Sequence, residues 1–227
     1  VGEFSQAAVR SSAAILGVAL NTNIYGNAGM VPMMVLSAVP FFNVYAVLIL
    51  QFSPHTDENG RLIPPERNGA AAVRRALVNV VKNPIILGIL LGVPFSLLRV
   101  KMPGILASTL STIGGTATPV ALLAVGASFS GSEAAKCMKP ALAATAIKLF
   151  ILPAIFLPIA ALFGFTGSAM IAILILVGSP TTVSCYVMAK NMGHRGVLTS
   201  NVVMLATVLS SVSLTLWIFL LRLFGLL

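Results

Sequence analysis

The chain has 227 residues, of which 58% are hydrophobic and only 8% charged, with a mean hydropathy of +1.01 and a net charge of +9. Soluble domains carry about 25% charged residues, so composition excludes a soluble globular fold and points to an all-α polytopic membrane protein. The positive charge is not a nucleic-acid footprint, because the basic residues sit mostly in short loops between apolar segments, where orientation signals belong.

The chain opens at Val1, with no charged leader or cleavage site ahead of its first apolar stretch. It reads as lacking a signal peptide and as a piece of something longer. Ala7–Tyr25 is apolar but short, and it carries Arg10, Ser11, Ser12, Gly17, Asn21, Thr22 and Asn23. That suits a broken helix better than a plain span. Tyr25–Gly29 is a turn, and Met30–Phe52 is a clear span containing Pro32, Pro40 and Asn43. Ser53–Lys82 is a long polar loop marked by Asn59-Gly60 and Pro64-Pro65, and its end, Ala70–Lys82, reads as an amphipathic surface segment. Asn83-Pro84 opens a short span to Leu98. After a turn at Arg99–Pro103 comes a span over Ile105–Phe129, softly broken at Gly114-Gly115 and Pro119. Ser130–Lys139 is a loop, and Pro140–Phe163 is a span with Lys148 inside it.

Ala169–Gly193 is apolar enough to cross a bilayer, yet Gly178, Ser179 and Pro180 interrupt it. Pro180 has no N–H and biases Ser179 away from helix. Each half is about ten residues, or roughly 15 Å, so the break falls near the middle of a hydrocarbon core of about 30 Å. Broken helices at that depth point the positive N-terminus of the second half at a bound anion; the plain alternative is a proline kink in an ordinary helix. Val197–Leu227 is the last span, and the total is seven hydrophobic segments, the first partial. Alternating sides along the chain puts Arg10, Arg61, Arg67, Arg74, Arg75, Lys82, Lys136, Lys139, Lys190 and Arg195 on one face. The other receives Arg99, Lys101 and Arg222. The first face is therefore expected to be cytoplasmic and the C-terminus outside.

Several stretches agree in order with one family: Asn83–Gly92 (NPIILGILLG), Thr118–Ser128 (TPVALLAVGAS), Lys148–Pro153 (KLFILP), Ser179–Ala189 (SPTTVSCYVMA) and Leu209–Trp217 (LSSVSLTLW). The chain resembles the auxin efflux carriers in their bacterial branch. The resemblance implies ten helices in two inverted five-helix repeats, one broken helix per repeat crossing its partner at the substrate site. It implies that the first three helices are absent here, and that the protein lies in a bacterial inner membrane, as a homodimer. Residues 1–52 would then end the first repeat, as a broken helix plus one span. Residues 53–82 would form a cytoplasmic loop, and 83–227 the second repeat, broken at 169–193. The first crossover resembles Arg10–Leu20, where members usually carry asparagine at the position of Ser12 and proline at that of Ala19. Without that proline the first crossover is expected to be a weaker kink held by Gly17.

The residues expected to bind substrate are Ser11, Ser12, Lys148, Pro180, Thr181, Thr182, Ser184 and Tyr186. The hydroxyl groups either meet substrate or cap and bridge helices, and Tyr186 either meets substrate or packs. Lys148, an ionisable group inside a span, either balances a carboxylate substrate with its positive potential, or occupies the place a sodium ion fills in folds similar to this family's, or snorkels to water. The expected roles of Asn43 and of His55 and His194 are structural and solvated, respectively. Glu3, Asp57, Glu58, Glu66 and Glu133 all fall in loops or at the terminus, which leaves no carboxylate inside a span for ion coupling. Cys137 and Cys185, one at a helix end and one within a span, are not expected to pair. The sequence thus motivates a site, and the resemblance implies what it serves: a secondary transporter of a small organic anion, a carboxylate, working by alternating access with no cofactor or metal. A sodium-coupled symporter of bile-acid type, an inactive fragment and an intramembrane enzyme are the rivals; the last lacks paired aspartates or any catalytic cluster at depth.

Overall fold

Helices make up nearly all the regular structure of the computed structural model, which describes residues 1–56, 61–64, 74, 78, 84–98, 102–127 and 129–227. Two short helices come first, α1 (Gly2–Val9) and α2 (Ala13–Tyr25), separated by Arg10–Ser12. The long helix α3 (Val31–Gln51) follows, with a proline in its first turn, where the missing N–H costs nothing. A minimal antiparallel hairpin pairs β1 (His55–Thr56) with β2 (Leu62–Ile63). Next come α4 (Pro84–Leu97), α5 (Gly104–Ala127), the short α6 (Gly131–Lys136) and α7 (Met138–Leu162). The chain ends with α8 (Gly167–Gly178), α9 (Ser184–Asn191) and α10 (Val197–Leu223).

Four of these, α3, α5, α7 and α10, are long and apolar enough to cross a bilayer. The 27 residues of α10 alone reach roughly 40 Å at 1.5 Å per residue. The chain is an all-α integral membrane protein. Its membrane helices could not be open strands or loops, because lipid offers backbone N–H and C=O groups no partner.

Small residues bring the helices together. Ala7 and Ala8 of α1, Ala141 and Ala144 of α7 and Val202 of α10 form one buried cluster. Leu157, Ala160, Met170, Leu174 and Leu221 form a second between α7, α8 and α10. Ala13, Ile171 and Ile175 join α2 to α8. At Gly17 a Cβ would stand 2.8 Å from Val31 Cγ1 and 3.1 Å from Ile175 Cγ2, so only glycine lets α2 approach both neighbours.

Within α7, Ile147–Ile151 forms a π-helical turn. Pro153, two residues beyond it, has no N–H for the Leu149 carbonyl four residues back. The Trp217 indole of α10 donates to that carbonyl instead, at 2.9 Å. The bulge is thus tied to a neighbouring helix, and within it Lys148 and Leu149 are buried while Phe150 and Ile151 are exposed.

The elements match the sequence reading in kind and depart from it in detail. The first broken helix begins at Gly2, not Ala7, and breaks at Arg10–Ser12, not Gly17, which lies inside α2. Helix α5 runs unbroken through Gly114, Gly115 and Pro119, because in an apolar solvent a glycine pair gains nothing by leaving its hydrogen bonds. The expected loop at Ser130–Lys139 holds α6. The last helix stops at Leu223, where Gly225 at φ +68° turns the chain and the Leu226 N–H returns to the Leu221 carbonyl. The readings of Asn59-Gly60, the Ala70–Lys82 segment apart from residues 74 and 78, Asn83, and the charges Arg99 and Lys101 lie outside the described residues.

Candidate functional site

Two breaks meet. In the second broken helix α8 ends at Gly178, Ser179 is extended, and α9 starts at Ser184. In the first, the chain leaves α1 at Arg10 and re-enters helix at Ala13. The Ser12 N–H donates to the Pro180 carbonyl at 2.9 Å. Thr181 Oγ1 donates to the Ala7 carbonyl at 2.7 Å, and Gln6 Nε2 to the Cys185 carbonyl at 3.2 Å. Each break therefore supplies partners for part of the backbone that the other exposes, as buried polar groups in lipid require.

Proline explains one of these exchanges directly. Pro180 has no N–H for the Leu176 carbonyl, its helical acceptor four residues back. Ser11 Oγ donates to that carbonyl, and Lys148 Nζ reaches it at 3.1 Å. The same ammonium donates to the Val9 carbonyl at 2.9 Å and to Ser11 Oγ at 2.5 Å. Lys148 is 0% exposed, so it does not snorkel. Its three donors end on three oxygens, two of them carbonyls in the last turns of α1 and α8.

A second cation stands in the same region. Arg10 is 4% exposed; its Nη2 donates to Asn43 Oδ1 of α3 at 2.7 Å, and its Nη1 lies 3.4 Å from Met188 Sδ. Sequence reasoning placed Arg10 among the cytoplasmic loop charges; it is instead buried at the crossover. Asn43 does have the structural role expected of it, as the acceptor for that guanidinium. Among the described residues, neither Arg10 nor Lys148 pairs with a carboxylate. Their partners are all neutral.

On one side of the crossing lies a cavity of about 410 Å³. Ser12, Pro180, Thr181, Thr182, Val183 and Ser184 line it from the two breaks, Thr118 and its neighbours from α5, and Thr207 from α10. The N–H groups of Thr182, Val183 and Ser184, which lead into α9, have no acceptor among the described residues. Thr182 and Ser184 bond weakly to each other at 3.4 Å and are only half-buried, so both hydroxyls are available. Thr181 is committed to Ala7.

Of the predicted residues, Ser12, Pro180, Thr181, Thr182 and Ser184 come together on this cavity. Ser11 and Lys148 sit behind it, bonded to each other. Lys148 also borders an apolar cavity of about 550 Å³ lined by Phe42, Phe156, Phe163 and Phe165. Tyr186 lies elsewhere: its ring packs where a Cβ on Gly196 would come within 3.0 Å, beside Glu133, Lys190 and Arg195. Arg10, Thr118 and Thr207 were missed as site residues. Thr118 carried a signal, a hydroxyl directly before a proline in an apolar helix; Arg10 carried none, because a charge near an apolar boundary reads as a loop.

The far end of the bundle is held separately. Glu3, expected at a free terminus, caps α10: its carboxylate accepts from the Gly196 N–H at 3.1 Å, the Thr199 N–H at 3.2 Å and Thr199 Oγ1 at 3.1 Å. His194 is buried rather than solvated, with Nε2 3.3 Å from the Leu50 carbonyl and Nδ1 3.9 Å from Glu3. Arg195 pairs with Glu133. Among the described residues, no group of three or more His, Cys, Asp or Glu side chains could hold a metal ion.

Compared with known proteins, the chain matches the family described as "Membrane transport protein" over residues 5–218. That span takes in both breaks and the cavity between them. No curated protein matches the chain.

Proposed function

We propose, because the chain belongs to the membrane transport protein family of auxin efflux carrier type, that its crossover binds a small organic anion, a carboxylate, and passes it across the bilayer by alternating access. One observation carries this reading: three N–H groups without acceptors lead into α9 at the wall of the cavity. A helix N-terminus with free N–H groups is a ready anion site, and a carboxylate would supply the missing acceptors. Ser12, Thr182 and Ser184 would add hydroxyl donors. Arg10 and Lys148, without carboxylate partners among the described residues, would make the region attractive to an anion through their field rather than by contact.

With Ser11 and Ser12 bonded across to the second break, substrate entry and release would shift the two broken helices together. A charged substrate moved without a coupled ion follows the membrane potential, worth about 2.3 kcal/mol per charge per 100 mV. The test is uptake of labelled mono- and dicarboxylates into proteoliposomes containing the purified chain, with the interior held positive by a potassium gradient and ionophore. Accumulation of a monovalent anion should rise toward about fifty-fold per 100 mV. Thr182→Val with Ser184→Ala should lower uptake by about tenfold or more, the loss expected for two transition-linked hydrogen bonds. Uptake by wild type that is unchanged in the double variant would remove this site from the pathway.

A further inference from the structure

Lys148 is the most buried charged group in the described chain, and the transport reading uses it only as a source of field. Its surroundings say more. The ammonium lies between the Val9 carbonyl at 2.9 Å, Ser11 Oγ at 2.5 Å and the Leu176 carbonyl at 3.1 Å. These oxygens come from three different causes. Val9 is the last residue of α1, so its carbonyl has lost its helical donor. Leu176 has lost its donor to Pro180, which has no N–H. Ser11 stands in the first break and turns its own hydrogen toward Leu176, leaving its lone pairs for the ammonium. Both carbonyls also lie at the negative ends of their helices, where a cation is favoured.

Such a site asks for a cation in its own right. A ring of backbone carbonyl and hydroxyl oxygens, with no carboxylate, is the donor set that hard monovalent cations take from proteins. We propose that the oxygens of Val9, Ser11 and Leu176 form a monovalent-cation site at the crossover, and that the Lys148 ammonium occupies it as a tethered ion. The chain then needs no dissolved cation to hold its two breaks together, and a variant lacking the side chain will take one from solution. Ammonium is the first probe, because it reproduces the donors of Nζ; sodium and potassium follow. The claim concerns how the crossover is held and does not depend on which substrate crosses.

The experiment uses the full chain purified in detergent, in ammonium, sodium, potassium or choline chloride at one ionic strength. The thermal midpoint of wild type should be the same in all four salts. Lys148→Ala should have a lower midpoint in choline and recover by about 2–4 °C or more, saturably, in at least one small cation. A folded, monodisperse Lys148→Ala whose midpoint is equal in all four salts would overturn the proposal. Should Lys148→Ala yield no folded protein in any salt, Lys148→Met decides, since it keeps the length and apolar stem but not the charge. The proposal expects Lys148→Met to unfold several degrees below wild type in every salt; a midpoint equal to wild type would show that no cation is required and overturn it.

Discussion

Arg10 and Lys148 are both buried cations, but they differ in how many partners each one's removal would strand. Lys148 satisfies three oxygens, so neutral replacements leave a cluster of unpaired acceptors, each costing about 1–3 kcal/mol. Arg10 makes one good bond, to Asn43 Oδ1, and one contact to a thioether. Holding a guanidinium on so few neutral partners costs several kcal/mol of desolvation, and replacing both members of a buried polar pair with apolar groups is often neutral or stabilising. Arg10→Met alone should therefore destabilise, by about 1–3 kcal/mol, because Asn43 is left without its donor. Arg10→Met with Asn43→Leu should restore the thermal midpoint but leave anion uptake about tenfold or more below wild type. Restored uptake in the double variant would show that the charge plays no part in transport.

At the level of the element, the two breaks differ in how far they could be read. Pro180 made the second visible, since the ring removes a donor and the chain cannot run helically through it. The first break has no proline. It exists because the Ser12 N–H and the carbonyls of Ala7 and Val9 find partners on the second break and on Lys148, none of which is near in sequence. The resemblance, with Ala19 where members carry proline, therefore put the weakness at Gly17, whereas Gly17 serves close packing. Gly17→Ala should cost about 1–3 kcal/mol by overpacking against Val31 and Ile175, measured as a fall in thermal midpoint. Pro180→Ala should do the reverse. It restores a donor for Leu176 and a reason for α8 to continue, so stability should hold or rise while uptake falls by about tenfold or more. The Glu3 cap was invisible for the same reason as the first break: a carboxylate near a chain terminus gives no hint that it meets an N-terminus nearly 200 residues on. Glu3→Gln should lower the midpoint by the equivalent of about 0.5–2 kcal/mol and speed amide exchange in the first turn of α10.

For the whole molecule, hydropathy alone was enough to read the class and the long spans, because a bilayer allows few alternatives. Orientation rests on charge, and one charge in that count, Arg10, is now removed to the interior. Lys136, Lys139, Lys190 and Arg195 remain in that count, and on them we propose a cytoplasmic face at the α6 and α9 ends, with the C-terminus outside. The cysteines offer a test without mutation. Cys137 is partly exposed beside α6, and Cys185 is buried at the crossover. A membrane-impermeant maleimide should label Cys137 in inverted vesicles but not in right-side-out ones, and should leave Cys185 unmodified in both. Labelling from the opposite side would reverse the orientation.

The hydrogen bond from Trp217 to the Leu149 carbonyl has a practical consequence. Trp217 is the sole indole in the sequence, and it bridges α10 to the π turn that carries Lys148. Indole emission, excited at wavelengths that tyrosine does not absorb, therefore originates at one known joint. If α7 slides against α10 when a ligand occupies the cavity, that joint is strained or released, and the colour and lifetime of the light change without any added dye. Stopped-flow mixing with candidate anions would then time the movement itself, separately from how much cargo reaches the other side.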